Sequence, residues 1–187
     1  MLELDSAAVN LYLSSDREGH VEPAIRDRLL DAAEARARKG GYHGFSFREI
    51  AADVGVKSAS VHHHYPTKAD LGAALVRRYA DRARDALGEP STAEAARGRV
   101  IALFRAALER DDKMCLCGLF GAERDTLPPE VARETAAFFR MLLTYLERAQ
   151  GPDWRGESAA GLVARLEGAL LIARTLGDPA LFDAAVD

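Results

Sequence analysis

The stretch from Ser46 to Lys68 leaves the backbone less freedom than any other part of this chain. Ser46-Phe47-Arg48-Glu49 has the spacing of a capping box, in which a serine hydroxyl and a glutamate carboxylate three residues later satisfy the free amides at a helix start. Phe47, Ile50, Ala51 and Val54 follow at the spacing of one helical face. Gly55 can take the left-handed conformation that ends a helix. Beyond the Gly55-Val56 turn, Ser58 to Tyr65 reads as a short polar helix stopped by Pro66, and a further helix starts near Thr67-Lys68. Two short helices joined by a tight turn have the layout of a helix-turn-helix, whose second helix enters the DNA major groove.

The remainder reads as helix between breakers, so the expected fold is all-α with about nine helices. A first helix is predicted over 23–39, with Ile25, Leu29, Ala32, Ala33 and Ala37 inward, ended by Gly40-Gly41. The helix from 67 to 87 carries Leu71, Leu75, Tyr79 and Ala83 on one stripe and ends at Gly88 and Pro90. Ser91-Thr92-Ala93-Glu94 is a second capping-box pattern, followed by Val100, Leu103, Phe104, Ala107 and Leu108 as a buried face. The charged stretch 109–113 is expected to be a loop before a short helix over 114–120. Pro128-Pro129-Glu130 opens a helix with Val131, Thr135, Phe138, Leu142, Tyr145 and Leu146 inward, closed by Gly151-Pro152. A helix over 157–176 is apolar nearly all round, which requires cover on most sides, and a short last helix is anchored by Leu181 and Phe182. These breakers divide the chain into an extension over 1–21, a helix-turn-helix domain over 22–88 and a helical domain over 89–187.

The net charge of −4 is unevenly spread. Residues 22–85 hold 12 basic and 9 acidic side chains, net +3; residues 1–21 hold 1 and 4, net −3; residues 86–187 hold 12 and 16, net −4. The positive excess coincides with the helix-turn-helix pattern, as expected of a protein that turns one face to phosphates. No apolar run approaches the ~20 residues that cross a bilayer, the first residues lack the pattern of a secretory signal, and there are two cysteines. A cytoplasmic protein with reduced thiols and no membrane partner is expected. No Ser/His/Asp arrangement, glycine-rich phosphate loop or metal-ligand spacing is present, so neither enzymatic activity nor a cofactor is expected. His62-His63-His64 diverge by about 100° per residue around a helix axis and cannot converge on one metal ion.

From Pro23 onward the chain resembles the TetR family of bacterial transcriptional regulators, most closely over 45–71. The resemblance rests on Ser46, Arg48, Glu49, Ile50, Ala51, Gly55-Val56, Ala59-Ser60, His63, Tyr65, Pro66, Lys68 and Leu71. It implies a homodimer with two helix-turn-helix units and a ligand-binding helical body, released from a palindromic double-stranded operator by a small-molecule inducer. Two departures stand out. Lys57-Ser58 replaces the Ser-Lys of many members, which moves the expected helix cap to Ser58. His62 and His64 replace tyrosines, so His62 is expected to take over a backbone contact.

The expected DNA-contacting residues are Arg48, Lys57, Ser58, Ala59, Ser60, His62, His63, Thr67 and Lys68. Ala59 and Ser60 are small enough for deep entry into the groove, and the others offer donors to phosphates or base edges. Lys68 and the free amides at its helix start are expected to clamp a phosphate. An inducer pocket is expected among Phe104, Cys117, Phe120, Glu123, Phe138, Met141, Leu142 and Tyr145, with Glu123 either anchoring a polar end or capping a helix. The apolar lining suits a lipophilic or aromatic ligand. The second subunit is expected against Leu162, Leu166, Ala169, Leu170 and Ala173. Cys115 and Cys117, two residues apart on a helix, should point to different sides and so form no disulfide. They are either small apolar packing or the thiols of an electrophile- or redox-responsive regulator, with Lys113 and the helix start lowering the pKa of Cys115. A further alternative is a DNA binder with no small-molecule input.

Overall fold

The computed structural model describes residues 24–90, 92–111, 114–151 and 154–186, the side chains of 109–111 apart. The extension over 1–21, Ser91 and Lys113 lie outside the described residues. Among those described, every regular element is helical: α1 Ile25–Gly40, α2 Phe47–Val54, α3 Ser58–His64, α4 Lys68–Leu87, α5 Ala93–Asp111, α6 Leu116–Ala122, α7 Pro129–Gln150, α8 Ala159–Leu176 and α9 Ala180–Val186. Two 3-10 turns, Tyr42–Gly44 and Arg124–Thr126, complete the set. None of these helices is long and apolar enough to cross a membrane. The described residues fall into two compact units, one of 24–80 with 116–138, the other of 81–115 with 139–186. The chain therefore passes between units within α4, before α6 and within α7, rather than once near residue 88.

In the first unit α1 buries Leu29, Leu30, Ala33 and Ala37, while Ile25 and Ala32 are only half-buried. α2 adds Ile50, Ala51 and Val54, α3 adds Val61, and α4 adds Leu71, Leu75 and Val76. The Ser46 hydroxyl oxygen caps α2 by accepting from the Glu49 amide at 3.3 Å. The reciprocal half of the box differs from expectation, because the Glu49 carboxylate takes the Ser46 hydroxyl proton at 2.7 Å. Gly55, at φ 75°, ends α2, and the Val56 amide reaches back to the Ala51 carbonyl at 2.9 Å. Only glycine enters that region without a Cβ penalty. Three arginines of α1 then lock the small helices: Arg28 donates to the Val54 carbonyl at 2.7 Å, Arg26 to the Tyr65 hydroxyl at 3.2 Å, and Arg36 to both carboxylate oxygens of Asp53 and to Glu49. Gly72 of α4 sits so close to Tyr42 that an added Cβ would lie 2.8 Å from its ring and 3.1 Å from Val131.

In the second unit α5 starts at a cap made by Thr92, whose hydroxyl accepts from the Ala95 amide at 3.1 Å. α5 continues to Asp111, so helix extends into the charged stretch expected to be a loop. Its buried residues are Ala96, Val100, Leu103, Phe104, Ala106 and Leu108, with Ala107 half-buried. Every residue expected inward on α7 is buried across the two units, and in this one Tyr145 donates its hydroxyl to the Leu87 carbonyl at 3.0 Å. α8 is capped by Ser158, closed by Gly177 at φ 65°, and packs against α5 and α9. On α9 Phe182 is fully buried and Leu181 only half so. Glu157 gathers Arg97 and Arg165, at 2.6 and 2.7 Å, and pins the turn before α8.

Losing the Ser46 cap leaves helix-start amides without a partner. Ser46→Ala is expected to destabilise the protein by about 1 kcal/mol, read as a lower urea midpoint with an unchanged m-value.

Candidate nucleic-acid interface

α3 is a seven-residue helix whose apolar positions, Val61 and the following Tyr65, are buried one turn apart. That anchoring turns the opposite side outward. Arg48, Lys57, Ser58, Ala59, His62, His63 and Thr67 are exposed, and Ser60 and Lys68 are half-buried. Lys57 itself occupies the N-cap, so the cap does not move to Ser58, which is the first helical residue. The His62 ring meets Phe47 edge-on at 4.7 Å, with its Nδ1 3.4 Å from the Pro66 carbonyl oxygen. The contact braces the ring while leaving the residue exposed. His63 and His64 stack edge to face at 5.2 Å. No group of three His, Cys, Asp or Glu side chains among the described residues is placed to hold a metal ion.

The start of α4 differs from the phosphate clamp expected there. Thr67 and Asp70 satisfy one another: the Asp70 amide donates to the Thr67 hydroxyl at 3.1 Å, and the Thr67 amide donates to the Asp70 carboxylate at 3.0 Å. Two of the amides expected to be free are thus occupied. Lys68 turns its Nζ over the rings of Tyr42, at 4.6 Å, and Phe45, at 4.5 Å. Burial pushes its ammonium below the usual lysine range, while the charges of Glu123 and Glu49 pull it back up. On α2 the Ser46 hydroxyl holds the Glu49 carboxyl below the ordinary range, and the Arg36 hydrogen bond does the same for Asp53. The module thus stays cross-linked in its ionised form, while Lys57, Arg48 and His63 project freely to solvent.

Similarity to known proteins agrees with this geometry. The family described as bacterial regulatory proteins, tetR family, matches residues 29–75, which span α1 to the first half of α4. A TetR-family transcriptional regulator from Agrobacterium tumefaciens is 30% identical over 86% of this chain and 93% of its own, with a TM-score of 0.70. The chain belongs to the TetR family of bacterial transcriptional regulators. A TetR regulator from Legionella pneumophila superposes with a TM-score of 0.74 at 28% identity, over 87% of this chain and 93% of that one. FadR from Bacillus subtilis, solved with stearoyl-CoA, shares the fold at 17% identity and a TM-score of 0.64, over 86% of this chain and 95% of its own. No curated protein matches the chain. As a TetR-family member it is a DNA-binding transcriptional regulator, and its helix-turn-helix comprises α2 and α3.

The expected regulatory residues of this TetR-family chain are distributed between the units. Cys117, Phe120, Glu123 and Phe138 lie in the first; Phe104, Met141, Leu142 and Tyr145 lie in the second. All are buried except Met141 and Glu123, which are half-buried. Glu123 is engaged inside its unit, accepting the Tyr42 amide at 2.7 Å. The two cysteines do not point to different sides of one helix. Both are buried and in no disulfide, and Cys115 lies before the first residue of α6 rather than on it. Leu162, Leu166, Ala169, Leu170 and Ala173 are buried within the chain itself, against its own neighbours. The large apolar residues that α8 leaves exposed are Leu171, Ile172 and Leu176, at 54%, 53% and 67%.

Sequence reasoning missed Glu167 of α8. Burial pushes its carboxyl up to about 7, opposed by a hydrogen bond with Cys115, and its Oε1 has no hydrogen-bond partner. Its raised folded-state pKa means that the stability it preserves is fully present below the unfolded value near 4.5 and is lost as pH rises to about 7. Glu167→Gln removes that loss. The variant is expected to be more stable than the parent by up to about 3 kcal/mol at pH 8 and no more stable at pH 4, measured by urea titration at both pH values. Cys115 and Cys117 should stay unreactive toward a thiol reagent in the native protein and react in seconds once denatured; rapid native modification would contradict their burial.

Proposed function

We propose that this chain is a homodimeric repressor, acting in the cytoplasm, that leaves a palindromic operator when a small molecule binds its helical body. The observation that carries the reading is the polar row of α3, with Lys57, Ser58, Ala59, His62 and His63 exposed on a helix whose other side is anchored. Lys57 and His62 suit phosphate contacts. Ser58, Ser60 and His63 suit base edges, and Ala59 lets the backbone come close. Arg48 reaches the same duplex from α2, and Thr67 from the start of α4. In functional terms residues 22–88 bind DNA and residues 89–187 regulate and dimerise. The chain acts by binding rather than by turnover.

A second copy is supported by α8, where Ala164, Gly168, Leu171 and Ile172 recur at i, i+4, i+7 and i+8 with little cover from the chain itself. Large exposed aliphatic side chains beside small residues invite close helix packing against a twin. Two copies would set their α3 helices about one turn of duplex, ~34 Å, apart. Ligand input is supported by family membership alone, and FadR from Bacillus subtilis, which shares the fold, was solved with stearoyl-CoA. Ligand-driven displacement of α4, whose first half belongs to the DNA-binding unit, would spoil the spacing of the two α3 helices. A thiol-responsive variant of this scheme has one supporting contact, Cys115 with Glu167, and the burial of both cysteines opposes it.

Duplexes selected from a random pool by the protein should share an inverted repeat, and footprints should cover two half-sites. Lys57→Ala should weaken binding about tenfold across all sequences and reduce the salt slope by roughly one. Leu171→Glu should yield monomers in sedimentation and lose at least about tenfold in affinity, because bivalent engagement is gone. A monomeric variant that binds as tightly as the parent would overturn the dimer, and failure to enrich any duplex would overturn the function.

A further inference from the structure

The first unit contains one segment from the distant part of the chain, residues 116–138, and its most polar contact there is specific. Phe120, Glu123 and Thr126 converge on Tyr42-His43. The Phe120 ring meets Tyr42 edge-on at 5.8 Å, the Glu123 carboxylate accepts the Tyr42 amide at 2.7 Å, and His43 Nε2 lies 3.3 Å from the Thr126 hydroxyl. Gly41, at φ 69°, makes room for the carboxylate. A Cβ there would collide with the Glu123 carboxylate, within 3 Å of all three of its terminal atoms. The backbone of Gly41-Tyr42 is therefore shaped around this one side chain. Tyr42 in turn provides one of the two ring faces on which Lys68 Nζ rests, Phe45 providing the other. The Tyr42 and Phe45 rings contact each other edge to face at 5.7 Å, so they move together.

Lys68 follows the exposed Pro66 and Thr67 at the end of the recognition module, yet its charge is folded inward. An ammonium held over two aromatic faces is attracted by their quadrupoles, and Glu123 adds a favourable charge. A phosphate can compete for that cation only after it leaves the rings.

We propose that Glu123 is a positioning residue for DNA contact: by gripping the Gly41-Tyr42 turn it keeps Lys68 folded onto Tyr42 and Phe45, and so withholds one cation from the phosphate backbone. Movement of the 116–126 segment away from the turn frees Lys68, and movement toward it parks Lys68 again. The segment is thereby a dial on non-specific affinity, separate from the groove contacts of α3. The inference rests on the reading that α3 and the start of α4 face a duplex.

Glu123→Gln keeps an acceptor for the Tyr42 amide and removes the charge; Glu123→Ala removes both. The probe is a duplex selected from a random pool by the parent protein, with affinity measured from 50 to 200 mM salt. Both variants are expected to bind about three-fold or more tightly at the low end and to steepen the salt slope by about one, Glu123→Ala more than Glu123→Gln. In a Lys68→Met background neither change should alter affinity. Without DNA, the Lys68 ε-methylene protons should be shifted upfield by the two rings in the parent and move toward ordinary lysine positions in Glu123→Ala. The inference is overturned if the variants melt like the parent yet bind with unchanged or weaker affinity. It is also overturned if they tighten binding equally in the Lys68→Met background, or if the parent's Lys68 protons show no ring shift. A parent that selects no duplex counts against the DNA-binding reading, and the proton shifts still decide whether Glu123 holds Lys68.

Discussion

Seven residues are too few to hold a helix in water, where isolated helices need about 12–15 residues to be even marginal. α3 exists because Val61 at its middle and Tyr65 just after its end are buried, and because Gly55 turns the chain back sharply enough to pack it on α2. The exposed polar row of α3 depends on that borrowed rigidity. A mobile α3 would have to be ordered on binding, at a cost of roughly 1–2 kcal/mol per residue. The arginines of α1 extend the same support. Arg28 holds the last turn of α2, Arg36 its acidic side and Arg26 the tyrosine that closes α3.

Charge is divided between these two tasks with little overlap. The cations that brace the module are paired within it: Arg36 with Asp53 and Glu49, Arg78 with Asp31 and Glu34, Arg77 with Glu134. Arg48 and Lys57 are exposed and lie on the side that faces away from the core. A net excess of three positive charges over residues 22–85 is small, and the internal pairing leaves Arg48 and Lys57 among the cations that face solvent. Lys68 stands between the two groups, next to the recognition helix in the chain and turned inward over Tyr42 and Phe45.

What the sequence made legible was whatever a residue does to its immediate neighbours. Ser46 as a cap, Gly55 as a left-handed stop, Pro66 as a terminator and the apolar stripe of α7 all act within a few residues, and the structure has each of them. Arg48, Lys57 and His63, expected at the surface, are exposed, whereas the burial of Val61 and Tyr65 that turns α3 that way was not read from the sequence. Pairings across the chain were not. Gly40-Gly41 reads as a helix stop, and nothing local says that Gly41 is also the seat of a carboxylate from position 123. The charged stretch near 110 reads as a loop, yet α5 runs on as helix to Asp111. α8 is apolar on nearly every side, so its sequence could not rank the side buried inside the chain, with Leu166 and Leu170, against the side left exposed, with Leu171 and Ile172. Cys115 was misread for the opposite reason: the helical rule applied to it begins one residue later.

The tight seat of Gly72 against Tyr42 and Val131 has a genetic consequence. A methyl group there would press from inside α4 on the same tyrosine ring that shelters Lys68. A single codon change outside α2 and α3 would therefore disturb the seat of a lysine that borders the recognition helix.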